Sequence, residues 1–565
     1  MMMMMTVFKL GNISQNLKDS LDLYIESLNH YVLGPEYVYG ASLFVAIAIL
    51  TVDTDNKLNK PNALQIPTNE HQQLTNSSAY KGGWSFYLVL AGVATTLGCS
   101  LPVGYNISVI NTPAAIIQNF VNESVIDHYD VVVTKSWMNV LWSSVVAIFI
   151  VGGCVGSILG ASLADKLGRR KATLLTTVIS VVGAVLFLTC QVANSVELLI
   201  LGRLIVGLSA GLTTSIVPMY LAELAPLALA GAMGVVCPMG VNVGVLVGQV
   251  MGLDVILGGV NDWPYLLAAY AVLVIICIPV IFILPESPKY LYVVKRKEET
   301  ALKALSRLRA VSPSILTEDI ELLREESRAA EEAHSQQWSM LRVVQEPRLQ
   351  LVLLLTCAMQ AGQQTSGINA VFYYSDIIFR GAGLSPKGSQ YATIGCGAIN
   401  VCTAVLMIKL LPKCGRRPLL LGSILAAAIC LAALAVSIKF LDAIAGMPYV
   451  CMAAVFAYVL AYGFGLGPIP YFIASEMFEV PPRSAGMAWG SLANWAGNFL
   501  VGMTFPVVRD AIGPYSFIIF SSVTFGLFVF QKLYFLKHVA RPHFKYRKYA
   551  AAASAHDRSP DKASN

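Results

Sequence analysis

Two short basic strings recur in this chain, each directly after a long apolar run: DKLGRR at residues 165–170 and PKCGRR at residues 412–417. A second pair of strings, AELAP at 222–226 and SEMF at 475–478, recurs at nearly the same spacing. The same signals in the same order indicate an internal duplication. The chain is therefore expected to contain two homologous halves that run in the same direction.

The composition places both halves in a membrane. Of the 565 residues, 56% are hydrophobic and 13% are charged, and the mean hydropathy is +0.64, which excludes a soluble chain of ordinary composition. The net charge of +6 comes with no dense basic patch, so nucleic acid is not an expected partner.

Apolar runs long enough to cross a bilayer occur six times in each half. They lie near residues 86–109, 139–163, 172–192, 198–222, 231–253, 264–284, 349–378, 391–411, 418–440, 448–475, 485–508 and 513–536. We predict an all-α membrane protein of twelve transmembrane helices in two six-helix pseudo-symmetric halves. In parallel repeats of this kind the substrate site lies between the halves near the bilayer midplane.

Charges outside the runs predict the orientation. The connections after even-numbered runs, together with the C-terminal end, hold several times more Lys and Arg than the connections after odd-numbered runs. Both termini are therefore expected in the cytoplasm. The predicted parts are an N-terminal cytoplasmic extension, largely disordered (1–83), the first half (84–284), a partly helical cytoplasmic connector (285–347), the second half (348–536) and a cytoplasmic tail (537–565).

Two features near the N-terminus bear on this topology. The apolar run at 37–52 is shorter than a spanning helix needs, and a thirteenth span would place the N-terminus outside, so we expect it not to cross. Asn122-Glu123-Ser124, in the loop after the first run, is an N-glycosylation sequon. Because the charge distribution places this loop outside, Asn122 is a candidate glycosylation site.

Amide side chains stand inside the seventh run, where hydrocarbon makes them costly unless they face a partner or an aqueous cavity. Gln360, Gln363 and Gln364 share one helical face, and Gly367 permits a bend that would bring Asn369 to the same cavity. An amide both donates and accepts hydrogen bonds, as a sugar hydroxyl does, so this cluster suits a neutral polyol better than an ion. Hydrogen bonds that hold helices together are the alternative explanation.

Two further runs supply similar side chains. In the eleventh run Asn494 and Asn498 lie one turn apart, and Trp495 beside them offers an apolar plate for a sugar ring. The eighth run supplies Asn400. Single Asn residues often only lock helices together, and that alternative stays open for Asn400 and Asn498.

Charged residues at the predicted cytoplasmic helix ends suggest a gate. Arginines end some helices where glutamates end others, so ion pairs between the halves would hold the inner side shut while the outer side is open. Anchoring of the topology is the alternative role for the arginines. The candidate gating residues are Arg169, Arg170, Glu223, Glu286, Arg416, Arg417 and Glu476.

Together these strings resemble the major facilitator superfamily, and more narrowly the animal facilitative hexose (GLUT) transporters of its sugar porter branch. The resemblance covers residues 84–535 and also rests on GYN at 104–106, VPMY at 217–220, PESPK at 285–289, QQTSGINAVFYY at 363–374 and GPIPYF at 467–472. It implies alternating-access transport of a hexose, with glucose favoured, in the plasma membrane and without ion coupling. By resemblance, the residues that contact sugar or line the cavity are Gln363, Gln364, Asn369, Asn400, Tyr471, Asn494, Trp495 and Asn498.

Several positions depart from that family's pattern. Pro238 stands where members usually place a sugar-binding Gln, Tyr471 replaces a common Trp, and Thr365 replaces the Leu of the QLS string of glucose-selective members. These changes leave the sugar preference open. Asn242, one turn beyond Pro238, is the substitute that the sequence offers.

Other functions fit the sequence less well. A proton-coupled sugar symporter needs a membrane carboxylate that faces the site, and no Asp or Glu lies between Phe86 and Phe120 to pair with Arg203. A transporter-like sugar sensor usually has long cytoplasmic extensions, and the tail here is short. No catalytic or metal-ligand arrangement is present, so no enzyme activity, metal or cofactor is expected. The expected partners are a monosaccharide and the lipid bilayer, and the oligomeric state stays open.

Overall fold

The structure is a computed structural model that describes residues 83–539, except 227–228, 313–315, 335–339, 415, 442, 445, 472–476 and 479–481. The apolar run at 37–52, the C-terminal tail beyond 539 and Glu476 lie outside the described residues. The described residues form helices and no strand.

The helices of the first half and the connector are α1 (Phe86–Thr95), α2 (Leu101–Ser108), α3 (Ala114–Tyr129), α4 (Lys135–Leu167), α5 (Arg169–Val192), α6 (Val196–Leu224), α7 (Ala230–Met251), α8 (Trp263–Ala268), α9 (Tyr270–Ile283), α10 (Glu298–Arg309), α11 (Thr317–His334) and α12 (Met340–Gln345). The helices of the second half are α13 (Pro347–Thr365), α14 (Ile368–Gly381), α15 (Pro386–Cys414), α16 (Arg416–Lys439), α17 (Met447–Gly463), α18 (Arg483–Ile512) and α19 (Tyr515–Val539). Single π-helical turns join α1 to α2 and precede α10.

These helices match all twelve predicted runs. Nine stretches among the described residues are long and apolar enough to cross a bilayer, and they are the counterparts of runs one to six, eight, nine and twelve. The other three runs correspond to α13 with α14, to α17 and to α18. Helix α17 is apolar but short because the tenth run breaks after it, and α13 and α18 carry the Gln and Asn side chains of the candidate site.

The seventh run breaks at Gly367, as expected. Helix α13 ends at Thr365, Gly367 has a φ of +89°, and α14 begins at Ile368. This left-handed conformation favours glycine, and a Cβ at this position would also lie 2.8 Å from the ring of Phe520. The break redirects the chain so that Asn369 returns toward the face of α13 that carries the glutamines.

The tenth run also breaks, which the apolar pattern over 448–475 does not show. Helix α17 ends at Gly463, and turns follow over the sequence FGLGP at 464–468. Proline has no N–H to continue a helix, and glycine makes the turns accessible. The carbonyls of Leu466 and Gly467 therefore leave the helical ladder and need partners from elsewhere.

The loop predicted after the first run contains a helix, α3, that the sequence analysis missed. Ile117 and Phe120 on one face of α3 are buried against the first half, and the ring of Phe120 lies 5.0 Å from that of Trp263. In the sequence, only a short apolar stripe on α3 indicates this packing, and it is much shorter than the apolar run of a spanning helix. The helix covers the ends of the first half that lie opposite the candidate gate.

The connector packs beneath the first half. Arg309 of α10 is buried, and its Nη1 donates to the carbonyl oxygen of Leu224 at the end of α6 over 2.8 Å. Lys289 pairs with Glu326 of α11 at 2.7 Å. These contacts fix the connector helices against the helix ends at which the candidate gate lies.

Candidate functional site

A cluster of buried amides joins α13 to α18. Nδ2 of Asn494 donates to Oε1 of Gln360 at 2.9 Å and to Oε1 of Gln363 at 2.7 Å. Oδ1 of Asn494 accepts from Nε2 of Gln364 at 3.0 Å. The structure thus brings together the face of glutamines and the asparagine that the sequence singled out on separate runs.

Gln363 is fully engaged within this cluster. Its Nε2 donates to the carbonyl oxygen of Leu466 at 3.1 Å and to that of Gly467, which are the carbonyls released by the break after α17. Its Oε1 accepts from Asn494, and its side chain has no exposed surface. Gln363 therefore holds the broken tenth span in place, a role that the sequence could not show.

Asn369 differs from Gln363 because much of its hydrogen-bonding capacity is unused. Its Nδ2 donates to Oε1 of Gln364 at 2.5 Å. Among the described residues, no other hydrogen bond to its side-chain amide is found. Placed just beyond the break at Gly367, this amide has one N–H and its carbonyl oxygen available for a ligand.

Tyr471 lines an internal space next to the cluster. Its side chain is 52% exposed although its hydroxyl lies against Asn494 and near Cys237 of α7, in the other half. A side chain that is accessible and yet surrounded by both halves faces a cavity rather than the outer surface. Tyr471 is thus placed where a ligand held by the amides would meet it.

Two hydrogen bonds connect the second half to the first at this depth. Nδ2 of Asn400 donates to Oδ1 of Asn242 at 3.2 Å, and Nε1 of Trp495 donates to Oγ of Ser157 at 2.7 Å. The indole packs so closely on α4 that a Cβ at Gly153 would lie 2.5 Å from it. Ser157 and Gly153 had no signal in the sequence, since small residues are common in spans.

Asn498 lies one turn beyond Asn494 on α18. Its Oδ1 accepts from the hydroxyl of Tyr373 at 3.4 Å, and its side chain is buried. It faces α14 rather than the amide cluster. In this conformation Asn498 links α18 to α14, which is the helix-locking role named as the alternative for this residue.

Arg203 is a fully buried cation in α6. Its Nη1 donates to the carbonyl oxygen of Asn106 at 2.8 Å, and its guanidinium lies 4.6 Å from the ring centroid of Phe149. No ion pair joins Arg203 to any acidic residue within the described part of the chain. Main-chain carbonyl and aromatic contacts stabilise this charge.

The charged residues at the inner ends of the first half pair with one another. Nε of Arg169 lies 3.0 Å from Oε2 of Glu223. Oε1 of Glu286 accepts from the backbone N–H groups of Arg169 and Arg170 at 2.9 and 3.1 Å. The sequence analysis expected ion pairs between the halves. For these residues the contacts lie within the first half: Arg169 pairs with Glu223, and Glu286 accepts the free N–H groups at the start of α5.

Of the three gating candidates in the second half, two lie among the described residues. Arg416 and Arg417 begin α16 and are half-buried, whereas their proposed partner Glu476 is not among the described residues. The repeated GRR strings therefore occupy equivalent helix starts in the two halves.

Three hydrogen bonds join the halves at the ends opposite the candidate gate. Asn111 Nδ2 donates to Oγ of Ser375 at 2.6 Å. The other two, Asn139 to Asp510 at 2.7 Å and Gln390 to Asp254 at 2.9 Å, link α4 to α18 and the end of α7 to α15. This side of the molecule is therefore closed by polar contacts that the sequence analysis did not single out.

The sequon lies on α3. Asn122 is half-buried, whereas Ser124 is fully buried and its Oγ donates to the carbonyl oxygen of Asn194 at 2.6 Å and accepts from the backbone N–H of Val196 at 3.1 Å.

Two halves of membrane-spanning helices, with a cluster of buried neutral amides among α13, α14 and α18, define a membrane transport protein of the major facilitator type. The solved structures agree on the fold: the partially occluded, inward-open xylose transporter XylE from E. coli superimposes with a TM-score of 0.65 at 23% identity, covering 79% of this chain and 97% of that one. A structure of the proton:xylose symporter XylE bound to 6-bromo-6-deoxy-D-glucose gives the same TM-score.

The family described as "Sugar (and other) transporter" matches residues 91–548, so this chain belongs to that sugar transporter family. Its relatives include facilitated glucose transporter member 3 of Oryctolagus cuniculus, 38% identical over 79% of this chain and 88% of the relative, and of Homo sapiens, 38% identical over 79% and 89%. Facilitated glucose transporter member 1 of Gallus gallus is 36% identical over 84% of this chain and 96% of the relative. The protein is a multi-pass membrane transporter, not an enzyme.

Proposed function

We propose that the protein carries a hexose, glucose being the first candidate, down its gradient across the plasma membrane by alternating access and without ion coupling. The cluster of buried amides that Gln364, Asn369 and Asn494 form within the second half is the observation that carries this proposal. Relatives named facilitated glucose transporters, aligned over most of their own length, support the choice of glucose.

The cluster suits a sugar because its hydrogen bonds are exchangeable. The buried amides satisfy one another through N–H and carbonyl groups, the same two functions that each sugar hydroxyl offers. A bound sugar would exchange amide–amide bonds for amide–hydroxyl bonds and would add bonds to the unused groups of Asn369, each added bond contributing about 0.5 to 1.5 kcal/mol. Binding of moderate strength follows, which allows the sugar to leave on the other side.

We propose different roles for the individual site residues. Asn369, Gln364 and Tyr471 face the sugar, and Asn494 and Gln363 hold the cluster to the broken tenth span. Trp495 and Asn400 bring the second half into contact with the first, and Asn498 supports α14.

The absence of ion coupling is proposed from the carboxylates. Arg203 is bound by the main-chain carbonyl of Asn106, and among the described residues no carboxylate pairs with it, whereas a proton carrier would need an acid in the membrane. The buried carboxylate of Asp376 pairs with Arg380 on its own helix at 2.7 Å and with Ser389. Asp376 is seven residues beyond Asn369, about 10 Å along the helix, and so is engaged away from the cluster.

Alternating access is proposed to separate the halves 84–284 and 348–536 while the connector 285–347 stays cytoplasmic with both termini. We propose that the end at which Asn111 donates to Ser375 is the external side, which is closed in this conformation. We propose that Arg416, Arg417 and Glu476, with the Arg169–Glu223 pair and the Glu286 contacts, control the inner side. Asn122, on the proposed outer face, would carry a glycan.

Uptake by the purified full-length chain in liposomes tests the proposal. Labelled glucose should enter down its gradient, should exchange against unlabelled glucose inside, and should be unaffected by a proton ionophore or by an imposed pH gradient. Accumulation driven by the pH gradient would establish the symporter instead. Failure to move any labelled hexose would reject the sugar assignment.

A further inference from the structure

A cavity of about 480 Å³ lies at the inner surface of the first half, outside the sugar pathway. It is enclosed by the start of α5, the segment that follows α9, and the connector helix α10. Its walls carry six cations and one acid, Glu286. The cations are Arg170, Lys171, Lys295, Lys297, Lys303 and Arg307.

The positive charge of this cavity is largely uncompensated. Oε1 of Glu286 already accepts backbone N–H groups of Arg169 and Arg170. Of the six cations, Lys303 pairs with Glu299 at 2.7 Å and Arg170 donates to the carbonyl oxygen of Leu284 at 3.1 Å. The other four make no ion pair with any residue that the structure describes.

The cavity borders surface that faces lipid. Phe282 and Ile283 at the end of α9 are 66% and 56% exposed, and the guanidinium of Arg170 lies 5.8 Å from the ring centroid of Phe282. Arg307 lies 4.5 Å from the ring centroid of Tyr87 in the first turns of α1. Apolar surface thus stands directly beside a concave group of cations at the depth where headgroups lie.

We propose that this cavity binds the headgroup of an anionic phospholipid of the cytoplasmic leaflet, with an acyl chain along Phe282 and Ile283. The cations that only orient a membrane protein are spread over its inner surface, whereas these surround one cavity, as in the basic pockets that bind phosphorylated inositol headgroups. The proposal uses the orientation given above and does not depend on which sugar is carried.

The experiment uses the full-length protein purified in detergent and titrated with dioctanoyl phosphatidylinositol 4,5-bisphosphate, with binding followed by fluorescence. Dioctanoyl phosphatidylcholine and inositol trisphosphate are the comparison ligands. The test variant carries Lys295→Gln, Lys297→Gln and Arg307→Gln. The control variant carries Arg296→Gln, Arg324→Gln and Arg328→Gln, exposed arginines that do not line the cavity, so both variants lose the same charge.

Saturable binding of the bisphosphate lipid is expected, weakened on the order of 100-fold in the test variant and unchanged in the control variant. Equal weakening in both variants, or no saturable binding, would overturn the site. Equal affinity for inositol trisphosphate would replace the lipid by a soluble polyphosphate. If the triple variant unfolds, Lys297→Gln alone replaces it and should still weaken binding. These readouts do not involve sugar, so they stand apart from the uptake test.

Discussion

Asn369 and Gln363 are neighbours in one amide cluster, yet their replacement by Ala should affect different properties. Asn369→Ala should mainly weaken sugar binding, and Gln363→Ala should mainly lower stability. Asn369→Ala removes an amide whose carbonyl oxygen and second N–H are available to a sugar. With about 1 kcal/mol per hydrogen bond, the loss of one or two bonds raises the KM for hexose roughly 5- to 30-fold. Thermal stability should fall less than in Gln363→Ala, since one acceptor, Oε1 of Gln364, loses its partner while Nε2 of Gln364 keeps Asn494.

Gln363→Ala instead exposes the carbonyls of Leu466 and Gly467 without a partner inside the protein. Each unsatisfied buried carbonyl costs about 1 to 3 kcal/mol, so the main effect should be a lower unfolding temperature and a smaller yield of folded transporter. Sugar affinity of the molecules that remain folded should fall less than in Asn369→Ala.

The two variants are compared by the concentration dependence of labelled glucose uptake in liposomes and by fluorescence-detected thermal unfolding in detergent. Gln350→Ala, an exposed glutamine near the start of the same helix α13, is the matched control and should leave both quantities unchanged. An unaltered KM in Asn369→Ala would reject its contact with sugar. Parental thermal stability in Gln363→Ala would show that the broken span does not need this amide.

Four other substitutions test separate parts of the proposal. Gly153→Ala places a methyl group against the indole of Trp495 and should reduce uptake per transporter at the surface, counted by surface biotinylation. Normal uptake would mean that transport does not require this close contact between α4 and α18. Asn242→Val, which removes the acceptor for Asn400, should change the ratio of glucose to fructose uptake, and an unchanged ratio would deny it a part in selectivity. Asn122→Gln should abolish the mobility shift caused by glycosidase, and a persisting shift would place the glycan elsewhere. Arg416→Ala should impair uptake and reduce labelling of a cysteine in the external cavity at normal surface level, whereas normal labelling would leave the arginines as topology anchors.

The twelve spans could be predicted because each is a local property: an apolar run of sufficient length. The amides of the site could be predicted for the same reason, since Gln363 or Asn494 is conspicuous in a run of hydrocarbon side chains. The bend before Asn369 followed from Gly367 alone. These signals need no knowledge of which helices are neighbours.

The partners of these residues could not be predicted, because they depend on how helices distant in sequence pack. Nothing local shows that Gln363 meets the carbonyls of Leu466 and Gly467, or that Trp495 requires a hydroxyl at Ser157. The gate is a similar case: Glu286 accepts backbone N–H groups at the start of α5, which an analysis of side-chain charges alone overlooks. Proximity in three dimensions decides whether a polar residue binds a ligand or another helix.

The burial of Ser124 sets an order of events during synthesis of the chain. Glycan transfer requires the hydroxyl of the sequon to be within reach of an enzyme, but in the finished structure this hydroxyl is enclosed by Asn194 and Val196. A glycan on Asn122 has to be attached before α3 docks onto the loop between α5 and α6. If Asn122 carries the proposed glycan, the glycosylated fraction would therefore report how fast α3 docks relative to the action of the transferase.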